Sequence, residues 1–349
     1  MKRLLISALS SALLLMSISA AEPLKVITSF SILEDFAENI GQEKIAVESI
    51  IKRDQDAHSF EPTPKDIMKI HNADVVIING VDFDNWFTKI LDANQYEGII
   101  IDASRNVPLL AFNDEDHDHD HGDHNHNAHE HKHDMISHEH EHEHHDDHNH
   151  KDHQHHDHAD DSHHHQHEGH DHGEFDPHIW QNPMNAIIMT RNIQEGFALA
   201  QPENAPYFEN NFNSYKVELE ALDHYAKAVL KESEKASMMV LHNSFGYLAQ
   251  RYDLHFVAVS NINPLAEPSA KKMAELYALV KAENIRAVFS ENIAPSRFIA
   301  TIAKDLDLKN GGILYSDALT TDPAANTYID LFKHNINKIA AALEVTAKD

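Results

Sequence analysis

Between His117 and His172 the chain carries 25 of its 32 histidines, and the surrounding stretch 114–174 adds 20 acidic residues against only Lys132 and Lys151. Such a segment has no apolar periodicity and nothing to bury, so it cannot contribute to a packed core. It is read as a disordered, solvated insertion, and whatever folds must close on itself across it. The stretch also supplies −18 of the formal net charge of −29, so whole-chain averages mix two populations. A chain this acidic is not a nucleic-acid binder working by phosphate neutralisation.

There is no cysteine. That excludes disulfides, thiolate metal sites, thiol nucleophiles and a cysteine-linked lipid anchor. Lys2 and Arg3 precede an apolar run over 4–18, followed by Ser19, Ala20 and Ala21. This is the make-up of a secretory signal peptide, 1–21, cut after Ala20 or Ala21. The alternative, a membrane anchor, needs about 20 apolar residues to span. The expected product is exported and soluble.

Without the signal and the histidine-rich run, about 265 residues remain, enough for one large domain or two ordinary ones. Short β-branched runs at 24–28, 45–51, 74–79 and 98–102 are bounded by turn formers, and helical spacing fills 32–40, 64–71 and 83–91 between them. Beyond the insertion, 182–199 is again helical. Phe208, Phe212, Tyr215, Leu219, Leu222, Tyr225 and Val229 then recur at three- and four-residue intervals, which predicts one long helix after Pro202. A second series follows, with strands at 238–241, 255–259, 287–290 and 313–315 and helices at 268–281, 295–305 and 324–343. Alternation of this kind predicts an α/β fold of two parallel-sheet lobes joined by one linking helix. The divisions are 22–202 for the first lobe with its insertion 114–174, 203–232 for the linker and 233–349 for the second lobe.

Seven histidines lie outside the run. His71, His224 and His334 fall inside helical patterns and His255 inside a strand, where a surface or capped role is the simple reading. His58, in Asp56-Ala57-His58-Ser59-Phe60, follows the second strand. His178, in Asp176-Pro177-His178-Ile179-Trp180, follows the insertion, and His242 follows the strand 238–241. Ligands of open α/β sheets bind outside the carboxyl ends of the strands, so these loops edge the expected crevice between the lobes.

Four strings in this order carry a family resemblance: DAHSFEPTPKD (56–66), DPHIWQNP (176–183), LHNSFGYLAQRYDL (241–254) and NPLAEPSAKKMAELYALVKAENIRAVFSEN (263–292). The chain resembles the cluster of ABC-transporter solute-binding proteins for zinc and manganese, and its acidic histidine-rich insertion resembles the zinc-uptake branch, the ZnuA family. The resemblance implies that His58, His178 and His242 are three imidazole ligands of one tight Zn2+ site in the interlobe crevice. It matches Asp317 to the fourth position, which some zinc members complete with water or another carboxylate, and it places Glu291 nearby. It further implies a monomeric periplasmic receptor serving an integral-membrane ABC permease and its ATPase. Two positions depart from the pattern. Asn243 stands where many members have Asp, which leaves the partner of His242 open, and the missing cysteines remove a disulfide found in some relatives.

The donor chemistry agrees with zinc. Neutral imidazole suits zinc, whereas manganese prefers carboxylate oxygen, and relatives that bind manganese typically have Glu where His242 stands. Copper and nickel also accept imidazole, so selectivity over them rests on geometry and supply. A three-histidine site with an open position would also suit a hydrolytic zinc enzyme, but the sequence has no HExxH helix. A periplasmic metal buffer or chaperone would use the same ligands. The histidine-rich run offers either additional weak zinc sites that collect metal or a charged spacer.

Overall fold

A computed structural model of the chain describes residues 22–112, 173–231, 237–260, 270–293 and 297–344. The segment 1–21 expected to be a signal peptide and the insertion, save Gly173 and Glu174, lie outside the described residues.

The first sheet holds β1 (Leu24–Phe30), β2 (Ile45–Ile51), β3 (Val75–Ile78) and β4 (Ile99–Asp102), all parallel in the order β2-β1-β3-β4. β1 is buried at six of its seven positions, so both of its faces are covered, as parallel sheets require. Helices α1 (Ser31–Gly41), α2 (Pro64–His71), α3 (Asn85–Ala93) and α4 (Pro183–Ala200) complete this lobe. α2 starts where it does because Thr63 and Asp66 form a capping box and Pro64 supplies the first helical residue.

The second sheet repeats the topology. Strands β5 (Ser237–His242), β6 (His255–Ser260), β7 (Ile285–Glu291) and β8 (Lys309–Leu314) are parallel in the order β6-β5-β7-β8. Its helices are α6 (Gly246–Tyr252), α7 (Ala270–Ala282), α8 (Arg297–Asp305) and α9 (Tyr328–Glu344). Each sheet therefore reverses its winding at its central strands, and the crevice forms beyond their carboxyl ends.

Helix α5 (Ala205–Leu230) has 26 residues and so runs about 39 Å. It buries Phe208, Phe212, Tyr215, Leu219, Leu222, Ala226 and Leu230 along one stripe. That stripe does more than link. One apolar core continues from Val26, Phe30 and Phe36 through Tyr215 and Leu222 to Phe289, Tyr328 and Phe332. Separate clusters cover the outer faces, with Ile27, Ile50 and Val76 packing against Ile70 and Phe87, and Met239, Val257 and Val288 against Leu276 and Ile299.

The two-lobed parallel α/β class read from the sequence is the class observed. Local departures have local causes. α3 starts at Asn85, not 83, because Gly80, Val81 and Asp82 all take positive φ and the chain turns there. β8 begins earlier than expected, since Gly311 packs against the ring of Phe289 where a Cβ would not fit. α6 was not anticipated: its seven residues span barely two turns, too few for apolar periodicity to show.

Candidate metal centre

Two of the candidate histidines use the same local device. In Asp56-Ala57-His58, Asp56 Oδ1 accepts the amide of His58 at 2.9 Å and Oδ2 accepts the Ser59 hydroxyl at 2.7 Å. In Asp176-Pro177-His178, Asp176 Oδ1 accepts the amide of His178 at 2.9 Å and also meets its ring Nδ1 at 2.7 Å. An aspartate two residues upstream thus folds each loop back and fixes the histidine backbone. For His178 it also directs Nε2 inward, since a ring nitrogen held by a carboxylate sets which nitrogen stays available.

His242 is the last residue of β5, and Glu291 is the last of its neighbour β7. Glu291 Oε1 accepts the amides of Leu241 at 3.0 Å and His242 at 3.1 Å, while Oε2 lies 2.6 Å from His242 Nδ1. Glu291 is therefore the partner that Asn243 left unassigned. It is fully buried, as is Asp317 in the loop after β8. That loop is fixed by the first lobe, because Trp180 Nε1 and Gln181 Nε2 donate to the Ser316 carbonyl at 2.9 and 3.0 Å.

The four candidate ligands converge. Asp317 Oδ2 lies 3.2 Å from His58 Nε2 and 3.1 Å from His242 Nε2, and Oδ1 lies 3.6 Å from His178 Nε2. One donor atom from each lies within 4.8 Å of all the others, a cluster able to hold a metal ion. A tetrahedral zinc with bonds of 2.0–2.1 Å needs donors about 3.3 Å apart, close to the 3.1–3.6 Å between Asp317 and the three histidines. Nε2 of His178 and His242 and both Asp317 oxygens are buried, and none of them meets a partner in hydrogen-bond geometry among the described residues. They face a common point instead.

Aromatic rings wall the cluster. Phe83 lies edge-on to His58 at 5.6 Å and packs on Trp180 at 5.0 Å, and Trp180 meets His178 at 5.4 Å. Only His58 keeps appreciable access, with 11% of its side chain exposed against 1% for His178 and His242. Burial opposes charge on His242, yet the Glu291 and Asp317 carboxylates outweigh it and hold its pKa well above the ordinary value. Burial also opposes charge on Asp317, and there His242 and His178 win, holding the carboxyl well below its usual range. The pocket is thus built to compensate positive charge, with Asp176, Glu291 and Asp317 around three imidazoles.

Among the described residues, the other four histidines do not join. His71, His224 and His255 are exposed, His255 against the Ser237 hydroxyl at 2.8 Å, and His334 packs on Tyr315 with its Nε2 at the Ile313 carbonyl.

Two parallel α/β lobes of this kind are also the fold of solved periplasmic metal-binding proteins. The periplasmic zinc binding protein TroA from Treponema pallidum superposes with a TM-score of 0.70 over 92% of this chain and 99% of its own, at 19% identity. The chain belongs to the ZnuA family, zinc-uptake complex component A, periplasmic, which matches residues 26–342. It is 27% identical to the high-affinity zinc uptake system protein ZnuA of Bacillus subtilis, over 94% of this chain and 90% of that protein. It is also 27% identical to the zinc-binding protein AdcA of Streptococcus pyogenes, spanning 57% of that longer protein. The family is one of uptake-complex components and is not defined by a catalysed reaction. No helix among the described residues is long and apolar enough to cross a membrane.

Proposed function

We propose that this chain is the zinc receptor of an uptake system: it binds one Zn2+ tightly through His58, His178, His242 and Asp317 and delivers it to an integral-membrane ABC permease driven by its ATPase. The observation that carries the reading is the convergence of three Nε2 atoms and one carboxylate on a single buried point. Asp176 hydrogen-bonds His178 Nδ1 from behind at 2.7 Å, and the Glu291 carboxylate stands 2.6 Å behind His242 Nδ1. Such carboxylate–histidine pairs orient metal-bound imidazole and raise its basicity. Four protein donors leave no open coordination position, which suits a carrier better than a hydrolase. The signal segment 1–21 exports the chain to the periplasm, where it acts as a soluble monomer, and the histidine-rich insertion adds weaker zinc sites.

Calorimetric zinc titration of the mature chain tests the site. One tight equivalent followed by weaker ones is expected, and His178→Ala should remove the tight equivalent alone. Retention of the tight class in that variant would refute the assignment. A receptor is separated from a metal buffer by growth: deletion of the gene should impair growth under zinc limitation, and normal growth would favour the buffer.

A further inference from the structure

Tyr247, the second residue of α6, is 2% exposed, and its hydroxyl reaches from the second lobe into the first. It donates to the Asp176 carbonyl at 3.0 Å and accepts the Leu110 amide at 3.1 Å. Those groups belong to a short antiparallel pairing that flanks the insertion. Phe112 N–H donates to the Glu174 carbonyl at 3.0 Å, Ala111 stands opposite Phe175, and Asp176 N–H donates to the Leu110 carbonyl at 2.9 Å. In a regular antiparallel ladder, residues 110 and 176 would exchange both of their hydrogen bonds directly. Here one bond is direct and the tyrosine hydroxyl is inserted into the other, taking the amide of Leu110 and giving its proton to Asp176. Burial pushes its pKa up to about 12, so it remains an O–H donor.

Both ends of this bridge lead to ligands. On the first lobe, Asp176 holds His178 through ring Nδ1 and backbone amide. On the second, Tyr247 lies five residues beyond His242, across a turn in which Ser244 N–H donates to the His242 carbonyl at 2.9 Å. His178 is anchored by Asp176 and His242 by Glu291, each within its own lobe, while their ring centroids stand 5.4 Å apart across the crevice. We propose that Tyr247 is a positioning residue for zinc, a strut between the lobes whose hydroxyl sets the spacing of His178 and His242. This rests on the zinc assignment made above.

Tyr247→Phe keeps the ring and lets Leu110 and Asp176 pair directly, so the metal-free fold should unfold at its normal midpoint. Partners outside the coordination sphere are typically worth 10–100-fold in metal affinity. Zinc release from the tight site of the full mature chain, followed by stopped flow into a chelator, should therefore accelerate about 10-fold. The visible absorption of the Co2+-loaded protein should change with it, because the donor geometry changes. Tyr252→Phe is the matched control: it removes a hydroxyl bond to Asp223 Oδ1 of 3.1 Å on the same helix, away from the ligands, and should leave release and spectrum as in the parent. Unchanged release and spectrum in Tyr247→Phe, or equal acceleration in Tyr252→Phe, would overturn the strut. If Tyr247→Phe does not fold, hydrogen exchange on the parent chain decides, since zinc must slow exchange of the Leu110 amide, and no zinc-dependent protection there refutes the proposal. His242→Ala separates the two levels. Retention of the tight equivalent in that variant removes the site assignment itself, whereas its loss alongside an unaffected Tyr247→Phe removes only the strut.

Discussion

Replacing His242 with alanine should damage the protein even when no zinc is present. Its ring lies 2.6 Å from Glu291 and 3.1 Å from Asp317, both carboxylates fully buried. In the metal-free state the Glu291 and Asp317 carboxylates favour the charged imidazole, holding its pKa above the ordinary value against burial. Removing it leaves two buried carboxylates facing the same space, and breaking a buried pair in this way costs about 3–5 kcal/mol. Glu291→Gln drops one of the two charges while keeping an oxygen for the amides of Leu241 and His242. It should therefore destabilise the parent but partly restore the His242→Ala chain. Urea unfolding in chelator at pH 7, comparing midpoints at constant slope, measures all four corners of this cycle. A metal-free His242→Ala protein within about 1 kcal/mol of the parent, or a Glu291→Gln effect of the same sign in both backgrounds, would refute the charge reasoning.

Asp317→Asn should keep the loop shape but weaken tight zinc binding by at least about 10-fold in chelator competition; unchanged affinity would remove Asp317 from the ligand set. Because His242 favours a proton, zinc must displace it, so apparent binding enthalpies at pH 7 should differ between buffers of different ionisation enthalpy, and identical values would deny the coupling. Asp35 sits between the lobes, where burial pushes its pKa up to about 7 despite hydrogen bonds from the Tyr328 amide and the Tyr215 hydroxyl. The folded chain then keeps a proton that the unfolded chain has lost above its ordinary value of 3.8, so stability should fall as pH rises from about 4 to about 7, by at most about 4 kcal/mol. Asp35→Asn should flatten that dependence and be the more stable protein at pH 8 in thermal melts, and an unaltered dependence would sink the assignment.

The fold class was legible because short β-branched runs bounded by turn formers alternate with stretches of helical spacing, and because α5 repeats its stripe over 26 residues. His58 and His178 stood out as candidates by their place in loops after a strand or the insertion and by flanking prolines, whereas the aspartates at 56 and 176 that accept their amides showed only in the structure. Helix α6 was not legible at seven residues. Neither was the role of Tyr247, whose partners at 110 and 176 lie 137 and 71 residues away in sequence.

Asp317 was reached only through family resemblance, and the structure explains why. Its loop carries no local device like Asp-x-His. The Ser316 carbonyl is held by Trp180 and Gln181, 136 and 135 residues earlier. The Leu319 amide donates to Ser31 Oγ at 3.0 Å, the Leu319 carbonyl accepts the Asp54 amide at 2.8 Å, and Arg53 donates to the Thr320 carbonyl at 3.2 Å. Every one of these partners belongs to the first lobe, although the loop itself follows β8 of the second. The second lobe contributes its own ties, Asn292 Nδ2 to the Ala318 carbonyl and Asn335 to both backbone groups of Tyr315. The candidate ligand Asp317 thus belongs to the seam, not to either lobe. Its charge is tolerated at zero exposure because the imidazoles compensate it, and its position depends in part on hydrogen bonds that form only when the lobes meet. No window of sequence short enough to show periodicity or turn chemistry contains both sides of such a seam.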